Sequence, residues 1–195
     1  MKEKNFWPLG IMSVLIGGMG IVVALVVFAL KHSPKNDLVY FKSHNEVDLN
    51  FNAMFKTYEN FKASYYFLVD LKPLTASSKT PILPYFSKGT HGDKQLQEKM
   101  LQNALILSKS NTLYIELQQI EPNLGLKELQ VYLATYPSKA PPRLLSTVVC
   151  EHACKPLVGF DLLESDKLGR YKILFKLIFK NKEELILEQL ALFKS

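Results

Sequence analysis

The chain has 195 residues, 48% of them hydrophobic and 22% charged, which leaves room for one ordinary domain plus an accessory segment and excludes both a wholly disordered chain and a polytopic membrane protein. The balance is basic, 24 Lys and Arg against 18 Asp and Glu, with a pI near 9.1. Only Arg143 and Arg170 are arginines, and the lysines stand singly among acids and apolar residues, so the pattern reads as a solvated surface and not as a nucleic-acid interface.

Residues 1–8 form a short tail. The run Leu9 to Leu30 then contains no Asp, Glu, Lys, Arg or His. As a helix it would measure about 33 Å, enough to cross a hydrocarbon core of about 30 Å. A signal peptide would carry an apolar region of only about 7–15 residues and a small-x-small cleavage site. Here Lys31-His32-Ser33-Pro34 follows and offers no such site, so residues 9–30 are expected to remain as a single transmembrane helix in the lipid bilayer. Trp7 stands at its near boundary, where an indole is comfortable. Ser13, Gly17, Gly20 and Ala24 recur at spacings of 4, 3 and 4, which places four small residues on one helix face. Such a face lets a neighbouring helix approach closely, so these four residues are the candidate membrane-helix packing site.

Residues 31–63 form a juxtamembrane segment. Ser43-His44-Asn45-Glu46 reads as a capping box, and Val47, Phe51, Met54, Tyr58 and Phe61 continue as one apolar stripe. The expected amphipathic helix has two places to go, the soluble domain or the membrane surface.

From Ser64 the hydrophobic period changes to two. Strands are expected at Tyr65 to Leu71, Leu113 to Leu117, Leu129 to Leu133, Tyr171 to Phe179 and Leu185 to Phe193, with a turn at Asn181-Lys182-Glu183. Shorter strands are expected at Leu144 to Val149 and Val158 to Leu163. Leu105 to Leu107 is expected to pair with Leu113 to Leu117 across Ser108 to Asn111. Along Tyr171 to Phe179 the apolar residues alternate with Lys172, Lys176 and Lys180, which the reading of scattered lysines as a solvated surface places in solvent. Thr75 to Asn103 reads as a long excursion holding a short helix from Asp93 to Leu101. Residues 64–195 therefore read as an antiparallel β-sandwich, immunoglobulin-like, in a mainly β chain.

Little catalytic chemistry is visible. No phosphate loop, dinucleotide fingerprint, His-Glu-x-x-His or nucleophile elbow occurs, and His32, His44, His91 and His152 are scattered. No enzyme activity and no resident cofactor are expected. The one cluster is Cys150-Glu151-His152-Ala153-Cys154. A short disulfide in an oxidising compartment, a copper or zinc site using Cys150, His152 and Cys154, and a pair of free thiols are its three readings. The spacing is similar to that of copper loops in oxidase subunits and copper chaperones, but the positions where the dinuclear loop needs His and Met hold Val158 and Asp161. Four residues of extended strand cover about 13 Å, whereas a disulfide needs Cα atoms within about 7 Å, so the bond requires a turn there.

The layout of short tail, span, juxtamembrane helix and terminal β-sandwich resembles the FixH family, also called CcoH, of cbb-type haem–copper cytochrome oxidases. The residues that carry the likeness are Trp7-Pro8, the runs Tyr40-Phe41-Lys42 and Asn50-Phe51-Asn52, Asn111-Thr112-Leu113-Tyr114-Ile115, and Asp166 through Tyr171. The Gly169-x-Tyr171 turn is also what a tyrosine corner demands in an immunoglobulin-like sandwich. The resemblance implies a bacterial inner-membrane protein, N-terminus cytoplasmic and C-terminal domain periplasmic. It implies an accessory or assembly role through binding of cytochrome oxidase membrane subunits. A periplasmic copper-handling protein and a generic anchored β-sandwich of an envelope complex are the alternatives.

Overall fold

The structure is a computed structural model that describes residues 7–31, 36–88, 101–121, 125–136, 140–150, 153–163 and 166–194. It divides into two compact units, Met1–Lys35 and Asn36–Ser195.

The first unit is helix α1, Trp7–Lys31. Pro8 sits in the first turn, where its missing N–H costs no hydrogen bond, and Lys31 lies in the last turn, where a cation suits the helix dipole. The stretch Gly10–Lys31 has a mean hydropathy of 2.7, and none of it is buried against its own chain. A helix apolar on every face and uncovered needs a bilayer or another apolar partner. By length and composition α1 suits a membrane span or a signal sequence.

The second unit is mainly β. A five-stranded sheet has the order β4 (Leu105–Leu107), β11 (Glu184–Phe193), β10 (Gly169–Phe179), β6 (Leu126–Tyr136), β7 (Arg143–Val149). The other sheet pairs β3 (Tyr65–Asp70) with β5 (Ser110–Gln119), whose far edge takes β8 (Ala153–Cys154) and β9 (Leu157–Asp161). The inward positions follow the expected alternation. Phe67 and Val69, Leu113, Ile115 and Leu117, Leu129 and Val131, and Ile173, Phe175, Leu177 and Phe179 form one buried cluster. The β10–β11 hairpin turns where expected: Lys182 takes φ +69°, and the Lys182 and Phe179 amides donate to Phe179 and Glu183 carbonyls at 3.0 Å each. Tyr171 Oη donates to the Lys167 carbonyl at 2.7 Å, the bond that defines a tyrosine corner.

Two sequence expectations are corrected. First, β4 does not fold back onto β5. It pairs parallel with β11, Leu105 opposite Ala191, so the fold is not wholly antiparallel. The reason lies in the connection. The Asn111 side chain accepts from the Ser108 amide and donates to its carbonyl, both at 2.8 Å, and this closed loop carries the chain from one sheet to the other. Second, Lys172 is not solvated; it is 5% exposed. The outer face of β10 and β11 carries a cover. Strands β1 (Asn36–Asp37) and β2 (Lys42–Ser43) form a hairpin that leads into helix α2 (His44–Ser64), and Tyr40, Val47 and Met54 pack on Ile186 in a second apolar cluster.

Helix α2 is capped as the sequence predicts, Ser43 Oγ accepting from the Glu46 amide at 3.3 Å. Of its two expected places, the observed one is the domain: Tyr58 and Phe61 enter the main core. Within the long excursion, Lys79 bridges Val69 of β3 and Ile82 bridges Glu188 of β11, so this stretch crosses from one sheet to the other and Leu83 fills the core between them. The short helix α3 (Pro84–Lys88) follows. The helix expected from Asp93 lies outside the described residues except for its end at Leu101.

Candidate functional site

Ser13, Gly17, Gly20 and Ala24 all lie on α1. The Ser13 hydroxyl donates to the Gly10 carbonyl at 2.8 Å, so this polar group is satisfied within the helix. A Cβ added at Gly17 or Gly20 would meet nothing within 4 Å, which leaves this face open to an approaching backbone. Gly10 and Gly18 are equally open, so the chain itself does not single out one face.

Cys150 directly follows β7 and Cys154 lies in β8, so the two cysteines flank the passage from one sheet to the other. They are joined by a disulfide with Cα atoms 5.6 Å apart, within the about 7 Å that such a bond requires. Cys150 is buried and its amide donates to the Lys127 carbonyl at 3.2 Å, while Cys154 pairs with Leu117 of β5. In this form neither sulfur is a thiolate, the species that binds copper or zinc. His152, the third residue of the metal reading, lies outside the described residues. Among the described residues, no group of three or more His, Cys, Asp and Glu could hold a metal ion.

A polar cluster that the alternation pattern did not reveal lies under the cover of the five-stranded sheet. Lys172 Nζ donates to both carboxylate oxygens of Glu188, at 2.9 and 2.8 Å, with side-chain exposures of 7% and 3%. The Tyr136 ring lies under the same ammonium, 4.8 Å from it. Beside this pair, Lys176 meets Glu184 at 2.9 Å, and Tyr132 Oη donates to Gln130. The hairpin register was the available signal. Leu190 lies opposite Lys172, which places Glu188 on its diagonal, within reach of a long side chain. The groups neutralise one another, so the cluster reads as structural. Burial holds the Tyr40 phenol, beside Glu188 and the Tyr85 amide, well above the ordinary tyrosine range.

A third feature is aromatic. Phe51 and Phe55 of α2 meet Tyr85 and Phe86 of α3, with ring centroids 4.2 Å apart for Phe51–Tyr85 and 6.2 Å for Phe55–Phe86. Phe86 also lies 5.9 Å from Tyr58, which ties the group to the core. Its outer members stay exposed: Phe55 by 38%, Tyr85 by 51% and Phe86 by 42%. The helical stripe located Phe51 but not Phe55, because α3 was hidden in the long excursion.

No protein-family model matches this chain, and no curated protein sequence matches it. Among solved structures, wild-type OgpA from Akkermansia muciniphila is similar at 16% identity over 44% of this chain, with a TM-score of 0.35. A Niemann-Pick type C2 protein from the Japanese carpenter ant is similar at 10% identity over 47% of this chain and 79% of its own, with a TM-score of 0.32. The matched part spans about a quarter (25%) of the length of OgpA.

Proposed function

We propose that the chain is a membrane-anchored interaction protein, a β-sandwich of immunoglobulin-like design held at the bilayer by α1 and acting by binding other membrane components, not by catalysis. The observation that carries this reading is α1 itself: 22 residues of mean hydropathy 2.7, with none buried against its own chain and an open small-residue face. The disulfide supports placement of the domain in an oxidising space, hence an N-terminus on the cytoplasmic side and a periplasmic domain at a bacterial inner membrane.

At finer grain, the proposed partners are the membrane subunits of a cbb-type cytochrome oxidase, with the protein helping to mature or stabilise that enzyme. This step rests on the resemblance in layout and short motifs alone. The copper-handling reading has less support, because a disulfide between Cys150 and Cys154 leaves no thiolate for the ion.

Two measurements test the proposal. Alkaline-phosphatase fused after Ser195 should be active, and the protein should stay in the membrane fraction at alkaline pH; a soluble protein or an inactive fusion refutes the anchored periplasmic reading. Gentle solubilisation and pull-down should bring down haem-bearing oxidase subunits. Recovery of other envelope proteins without haem would keep the anchor and remove the oxidase.

A further inference from the structure

The aromatic group at α2 and α3 lies close to the start of the second unit. Asn36 follows the end of α1 by only four intervening residues, a fully extended reach of about 18 Å from Lys31 to Asn36. The hairpin that begins at Asn36 carries Tyr40, and the Tyr85 backbone amide lies at the Tyr40 hydroxyl. Tyr85 opens the exposed face completed by Phe55 and Phe86, and Phe51 braces it from within. These aromatics are therefore tied, through Tyr40, to the first element after α1, an element that the short connection keeps within reach of lipid if α1 spans the bilayer. Aromatic side chains favour the headgroup level, where an apolar ring body and a polar tip such as the Tyr85 hydroxyl are both accommodated.

We propose that Phe55, Tyr85 and Phe86 form a second membrane contact, seating the domain on the headgroup region of the same bilayer that α1 crosses. The contact fixes the domain against the surface and so restricts which partners it meets to those lying in or close to the membrane. This inference rests on α1 being a retained span.

The test uses the full chain in vesicles of equal phosphatidylcholine and phosphatidylglycerol that carry a nitroxide near the headgroup. Trp7 is the one tryptophan, so its quenching in the unaltered chain reports the anchor. In a Trp7→Phe background, single Phe86→Trp and Tyr85→Trp variants report the aromatic face. Leu157→Trp, an exposed residue on β9 at the far edge of the other sheet, is the comparison. Near-ultraviolet circular dichroism establishes that each variant is folded, and the use of two reporter sites guards against the loss of either one. The expected result is several-fold stronger quenching at positions 86 and 85 than at position 157. Equal quenching at all three positions overturns the proposal while Trp7 quenching leaves the anchor standing. Weak quenching at 86 and 85 together with emission that shifts with protein concentration also overturns it and makes a second copy of the chain the occupant. An unquenched Trp7 with release at alkaline pH removes the anchor and the seating together.

Discussion

The Lys172–Glu188 pair offers the sharpest energetic test of the cover on the five-stranded sheet. Replacing Glu188 with Leu removes both acceptors of an ammonium whose side chain is 7% exposed. The nearby Tyr136 ring supplies only a weak substitute for a carboxylate. Breaking one side of a buried pair costs about 3–5 kcal/mol, since the surviving charge keeps its desolvation penalty and loses its partner. With a urea slope of about 2 kcal/mol/M, the midpoint of the full chain in detergent should fall by about 2 M. Lys172→Met should cost a similar amount for the mirror reason. The double change Lys172→Met with Glu188→Leu removes both charges and fills their place with apolar atoms, so it should recover to within about 1 kcal/mol of the unaltered chain or exceed it. The fluorescence and circular dichroism transitions of the four proteins, measured together, give the coupling energy directly. If both single variants unfold within about 1 kcal/mol of the unaltered chain, the pair is solvated and the described cover does not close over it.

Three further outcomes are expected. Intact-mass measurement without reductant should show a deficit of two hydrogens, and Cys150→Ala with Cys154→Ala should lower stability by about 2 kcal/mol, the loop-closure value for so short a ring. Tyr40, Tyr58, Tyr65 and Tyr171 are all held above the ordinary phenol value of 10.0, by burial first in each case. The folded state therefore favours the neutral phenol, so their contribution is complete below about pH 10 and falls as the unfolded chain ionises above it; urea midpoints at pH 8 and pH 11, with phenolate absorbance followed in parallel, check the sign. Gly17→Leu with Gly20→Leu should leave insertion intact and abolish recovery of partner subunits, whereas Val22→Leu with Val26→Leu should not; equal recovery by both would make the small face incidental.

The inward face of the sandwich was legible because two sheets packed on one core impose a period of two on every strand, and Leu113-Ile115-Leu117 or Ile173-Phe175-Leu177 obey it without exception. The cap at Ser43, the turn at Lys182 and the Tyr171 corner were legible for a different reason: each is a local bond between near neighbours in sequence. Pairing between distant strands was not. The segment Leu105 to Leu107 is three residues long and apolar, which suits an edge of either sheet, and only the closed loop at Ser108–Asn111 decides that it joins β11. The cysteine pair was legible as three alternatives, and its place at the sheet crossing follows from the partners of β7 and β8, which no spacing encodes.

The burial of Lys172 bears most directly on function. A lysine at alternate positions in a strand means solvent only when nothing lies over that face, and here the hairpin and α2 come to lie over it. That cover is drawn from residues 36–64, the part of the second unit closest in sequence to α1. Its inner side is used on the sheet, through Tyr40, Val47 and Met54. Its outer side presents Phe55 and, through α3, Tyr85 and Phe86. One segment thus closes the fold inward and turns an aromatic face outward. A substitution at Met54 should weaken the sheet cover, and one at Phe55, a single position later, should leave folding nearly unchanged and act only on what the domain touches. Met54→Ala is expected to cost about 2–4 kcal/mol, and Phe55→Ser less than about 1 kcal/mol, in the same detergent unfolding assay. Equal losses at the two positions would mean that Phe55 belongs to the fold and that α2 has no outward role.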